Sequence, residues 1–133
     1  MERLTWKVRI SVLWLFMAVA MSAHSILAFM DPAAMEQLGE MQMSAGMFVF
    51  MALFWLIPLI MAFLSLTLKD SANRWANIVL GIVFTVLNIW HLIMHLAEPS
   101  VEPSVHQILV IGSTVVVAAL IAWYAWKWPK QEA

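Results

Sequence analysis

The chain contains no cysteine, which removes disulfides, thiolate metal ligands and thiol redox chemistry from consideration. Charge is scarce as well: only 11% of its 133 residues are Asp, Glu, Lys or Arg, against about a quarter in soluble domains. No nucleophile–base pair is recognisable, so a small hydrolase or isomerase is the least favoured class and the chain reads as a non-enzyme. No internal repeat or inverted half is visible, which argues against a self-contained alternating-access carrier. Nothing suggests a nucleic-acid partner.

What is present is apolar. Hydrophobic residues make up 64% of the chain, gathered in four runs at Val8–Met30, Gly46–Leu66, Trp75–Leu96 and Val105–Trp128. A bilayer core of about 30 Å needs about 20 such residues in a helix, and each run reaches or approaches that length. The predicted fold is all-α: a single domain over 1–133, an integral membrane, up-down bundle of four transmembrane helices near 8–30, 46–66, 72–97 and 105–128. Short loops make sequential helices antiparallel neighbours. Met1–Arg9 and the small residues Ala18-Val19-Ala20 resemble a secretory signal. The apolar stretch runs on to Met30, however, so a retained first helix is expected.

The two sides of this bundle differ completely in charge. Arg3, Lys7, Arg9, Lys69, Arg74, Lys127 and Lys130, all seven basic residues, fall on one side. Lys and Arg resist translocation, so that side and both termini are predicted to be cytoplasmic, in a multi-pass protein of a cell inner membrane. The opposite loops hold Asp31, Glu36, Glu40, Glu98 and Glu102, and that side also holds His24, His91, His95 and His106.

Local signals refine the spans. Asp31-Pro32 ends the first helix, and the segment Ala33–Glu40 suits a short interfacial helix. Pro58 in mid-span removes one backbone hydrogen bond and frees the Phe54 carbonyl. Ser71 is a plausible N-cap for the third span, beside Asp70, and Pro103-Ser104 marks the start of the fourth. Trp6, Trp75, Trp123, Trp126 and Trp128 crowd the basic end, where indoles anchor at headgroups.

The third span is the least lipid-like. Asn77, Gly81, Phe84 or Thr85, Asn88, His91, His95 and Glu98 recur at three- and four-residue steps, forming one stripe. Asn and His are costly against lipid, so the stripe should face the interior. His24 and His91 each lie about six residues before the outer end of their spans, roughly 9 Å deep at about 1.5 Å per residue. Equal depth makes a cross-helix pair, with His95 one turn beyond.

Several chemistries fit this group. Neutral imidazoles at His24, His91 and His95 could bind zinc, iron or copper, or two could ligate a haem from both faces; the sequence requires neither cofactor. A polar cavity of His24, Asn88, His91, His95 and Glu98 could instead hydrogen-bond a small or amphipathic ligand such as a quinone or lipid. The plain alternative is cross-helix bonding of the histidines to Ser22, Ser25 or backbone carbonyls. Met30, Met35, Met41, Met43 and Met47, around Glu36 and Glu40, suit Cu(I) chemically but serve equally as adaptable packing. Small residues such as Gly81 and Gly112 would mark helix contacts in an accessory subunit, with a homo-oligomer or a partner membrane protein as its context.

Four segments, Trp14-Leu15-Phe16, Phe29-Met30-Asp31-Pro32, Ser71-Ala72-Asn73-Arg74-Trp75-Ala76-Asn77-Ile78 and Trp123-Tyr124-Ala125-Trp126-Lys127-Trp128, occur in an order that resembles a family of small bacterial four-helix membrane proteins classed as a domain of unknown function. The resemblance covers about Val8 to Trp128. It implies architecture and a bacterial inner membrane, and it carries over no catalytic residue.

Overall fold

A computed structural model describes residues 1–97 and 104–129. Glu98, Glu102, Pro103 and Lys130 therefore lie outside the described residues. Those described form α1 (Glu2–Met30), α2 (Pro32–Glu40), α3 (Ala45–Thr67), α4 (Asp70–Ala97) and α5 (Val105–Lys127). The helices α1, α3, α4 and α5 are each long and apolar enough to cross a membrane. α1 packs on α3 and α5, and α4 packs on α5, while α3 touches α4 at few points. α1 and α4 thus stand diagonally and meet only through long side chains.

The first helix starts six residues before its apolar run because its basic turn has a partner. Arg3 and Lys7, one turn apart, reach Asp70 at 3.4 and 3.2 Å, and the Lys7 ammonium donates to the Leu68 carbonyl at 2.7 Å. That carbonyl belongs to the C-cap of α3, so α1 is tied to the α3–α4 turn. Asp70 is also the first residue of α4, which places the expected cap Ser71 inside the helix. At the other end Asp31 caps α2, accepting from the Ala33 amide at 3.0 Å, with Pro32 at the first helical position.

A polar network that the sequence did not announce crosses the basic half of the core. The Trp14 indole and the Ser65 hydroxyl both donate to Asn77 Oδ1, at 2.6 and 3.2 Å. Asn77 Nδ2 donates to the Asn73 carbonyl at 2.8 Å and to Asn73 Oδ1 at 2.6 Å. Asn73 Nδ2 donates in turn to the Ser65 carbonyl at 2.6 Å, one of the last carbonyls of α3 and without a helical partner beyond Thr67. Trp14, Ser65, Asn73 and Asn77 are all fully buried, and together they join α1, α3 and α4. Apolar packing continues around them, with Trp14 edge-on to Phe84 and Phe84 stacked on Phe54.

The α4–α5 seam is held closest at Gly81, where an added Cβ would lie 2.8 Å from the Ala122 amide nitrogen. Backbone cannot yield as a flexible side chain can. Gly81→Ala is expected to destabilise the protein by about 1–3 kcal/mol in equilibrium unfolding in detergent. Gly112, which has open space around it, should tolerate alanine or gain slightly from better helix propensity.

Candidate functional site

At the end of the bundle away from the basic residues, α1 and α4 bring three imidazoles together. α4 presents His91 and His95 one turn apart on its inward stripe, and α1 presents His24 from the diagonal position. Ring centroids are 5.1 Å apart for His24–His91, 5.2 Å for His24–His95 and 4.8 Å for His91–His95. The Nε2 atoms of His91 and His95 are 3.2 Å apart. One ring nitrogen from each of the three histidines falls within 4.8 Å of the others. All three side chains are half-buried.

The serines do not occupy these rings. Ser22 and Ser25 donate instead to the carbonyls of Ala18 and Met21 in their own helix. His24 Nδ1 is buried and has no hydrogen-bond partner among the described residues, so the cluster carries unspent coordinating capacity.

Asn88 lies one turn below His91 as its stripe requires, but its amide is already engaged. Nδ2 donates to the Phe84 carbonyl at 2.7 Å and Oδ1 accepts from the Thr114 hydroxyl at 2.9 Å. Asn88 therefore floors the cluster and ties α4 to α5. Of the five site residues read from sequence, His24, His91 and His95 converge, Asn88 supports them, and Glu98 lies outside the described residues.

His106, the fourth histidine, stands apart at the mouth of α5. Its Nε2 is 4.0 Å from Asp31 Oδ2, and the same carboxylate oxygen accepts from the Ser104 hydroxyl at 2.9 Å. That bond, helped by the Ala33 amide, holds the Asp31 carboxyl below the usual carboxylate range. The group links the α1–α2 junction to α5. Of the methionines near Glu36 and Glu40, Met30, Met35, Met41 and Met47 are exposed, which suits an interfacial contact.

The spacing of the imidazoles is chemically informative. With metal–nitrogen bonds of about 2.0–2.1 Å, two ligands on a tetrahedron are about 3.3 Å apart. The His91–His95 separation of 3.2 Å matches that edge, and His24 presents a ring nitrogen within 4.8 Å of both. Three neutral imidazoles leave a fourth position for a small exogenous ligand.

A model of the family of unknown function DUF6326 matches residues 3–133, so the chain belongs to that family. No curated protein and no solved structure matches it.

Proposed function

We propose that this family member is a multi-pass membrane protein that holds one first-row transition-metal ion through His24, His91 and His95. The observation that carries the proposal is the convergence of one nitrogen from each ring within 4.8 Å. Imidazole ligands suit zinc, copper, iron and nickel. The same closeness favours an ion over a haem. A porphyrin would have to lie between its two axial imidazoles, whereas these rings contact one another directly, with His24 and His91 at 5.1 Å. We place the protein in a bacterial inner membrane with both termini in the cytoplasm, on the strength of seven basic residues confined to one side. The metal site then lies in the outer half of the bilayer.

A second reading draws on the unpartnered His24 Nδ1. An amphipathic molecule with a carbonyl or hydroxyl could take its hydrogen bonds from the same rings, with the bilayer as its source. Metal titration separates the two readings. Protein purified in detergent and stripped with chelator should take up one equivalent of Co(II), with the intense visible bands of a tetrahedral ion, and Zn(II) should displace it. Failure to bind Co(II), Zn(II) or Cu(I), together with a co-purifying organic molecule lost on His91→Leu, would favour the second reading over the first.

A further inference from the structure

The opposite, basic end of the bundle holds two polar groups without a partner among the described residues. Arg74 Nε and the Trp128 indole nitrogen are buried donors that no described residue accepts from. Trp128 was expected from sequence to anchor in the headgroups with Trp75, Trp123 and Trp126. Those three are exposed, but Trp128 retains only 3% of its surface, and burying an indole N–H without an acceptor is costly.

Counting along the helices places the two donors at one level of the α4–α5 seam. Asn88 and Thr114 are hydrogen-bonded across the α4–α5 seam. Fourteen residues toward the basic end stand Arg74 on α4 and Trp128, the C-cap residue just beyond α5; two heptads drift about 40° in all, which keeps both near the seam. The close approach of Gly81 to Ala122 lies between these levels and keeps the register.

The surroundings favour an anion. Arg74 makes no salt bridge among the described residues, and its guanidinium lies over Trp75, 5.8 Å from the ring centroid. The nearest acid on α4, Asp70, is already engaged by Arg3 and Lys7. The first-turn amides of α4 and their positive dipole end add to the field, and Lys127 stands over Trp123 on the other flank.

We propose that the α4–α5 seam at the basic end binds a phosphate group, and that its occupant is the headgroup phosphate of a membrane phospholipid. The guanidinium supplies a planar fork for phosphate oxygens, and the indole N–H supplies a further donor. Exposed Trp75, Trp123 and Trp126 present amphipathic surface on both flanks, which suits a lipid better than a free ion. This site is independent of the histidine cluster.

The test uses the full chain, delipidated in detergent, and native mass spectrometry with three probes: dioleoylphosphatidylglycerol, dioleoylglycerol and inorganic phosphate. The phospholipid should be retained, dioleoylglycerol should not, and millimolar phosphate should fail to displace the phospholipid. Arg74→Gln should weaken phospholipid binding about tenfold, the scale of one charge-assisted hydrogen bond. Arg74→Lys should fall between it and the wild type. Trp128→Phe keeps the packed ring, loses the donor, and should weaken binding about threefold. Equal retention by wild type and both Arg74→Gln and Trp128→Phe, with helicity intact by circular dichroism, would overturn the site. Full displacement by inorganic phosphate would overturn the lipid as its occupant. Should Arg74→Gln fail to fold, unchanged binding in Arg74→Lys and Trp128→Phe would overturn it equally.

Discussion

Replacing any one of His24, His91 or His95 with leucine is expected to lower metal affinity about 100-fold or more, since even an outer-shell partner is worth 10–100-fold and a ligand more. The three losses should be similar in size, because each ring contributes one of three bonds and neither helix holds the ion alone. The His24 variant is the most informative. His91 and His95 sit at i and i+4, a spacing that lone helices use for loose metal capture, so only a true third ligand from α1 makes His24→Leu as damaging as the others. His106→Leu should leave affinity within a few-fold, since its ring faces Asp31 at 4.0 Å. Without metal, the leucine variants should differ little in stability from wild type. That holds best for His24→Leu, which strands no hydrogen-bond partner among the described residues, whereas His91→Leu and His95→Leu each leave the other's Nε2 without its 3.2 Å contact at a small cost. Isothermal titration of chelator-stripped protein, with thermal unfolding alongside, reads both quantities. Because protonated imidazole is not a ligand, affinity should also decline as pH falls, with protons released on binding.

Asn77→Leu is expected to be among the most destabilising single changes in the core, by about 2 kcal/mol. Roughly 0.6 kcal/mol comes from each of its two interhelical hydrogen bonds, with the remainder from the donors it leaves unpaired. Four bonds converge on this side chain, from Trp14 and Ser65 and to two acceptors on Asn73. Its loss strands the Trp14 N–H and the Ser65 hydroxyl in a site with no water to replace it, which pushes the effect upward. Trp14→Phe removes one of the four and should cost a fraction as much from the polar contact, plus a packing term for the smaller ring. The double variant should cost less than the two single changes together, because the donor and its acceptor disappear in one step. Denaturant titration in mixed micelles measures the set. Additive losses would mean that the Trp14–Asn77 bond contributes nothing to stability.

Much of this arrangement was legible in the sequence because it follows from counting along helices. His24 and His91 lie at matching depth, His91 and His95 share a face, and the stripe through Asn77 and Asn88 faces inward; each of these comes from the 3.6-residue period and the cost of polar groups in lipid. The break at Asp31-Pro32 was legible from proline's local preferences, though the cap that Asp31 provides was not. Contacts between helices were not. Nothing in the stripe distinguishes Asn88, whose amide Thr114 and the Phe84 carbonyl consume, from the histidines, whose nitrogens turn toward one another. Trp14 offered one usable signal, since an indole in mid-span needs an acceptor and Asn77 was available on the inward stripe. The sidedness of tryptophan misled at Trp128, where register against α4 places the ring in the interior. Ser71 was displaced as a cap because Asp70, engaged by Arg3 and Lys7, begins the helix two residues sooner.

The most direct test of the metal centre is X-ray absorption at the edge of the bound ion, on protein loaded with one equivalent of zinc. The expected spectrum has three imidazole nitrogens at about 2.0–2.1 Å with one light-atom neighbour, and the imidazole scattering falls to two rings in His24→Leu. A shell of oxygen ligands alone, or a spectrum unchanged when His24, His91 and His95 are all replaced, would contradict it.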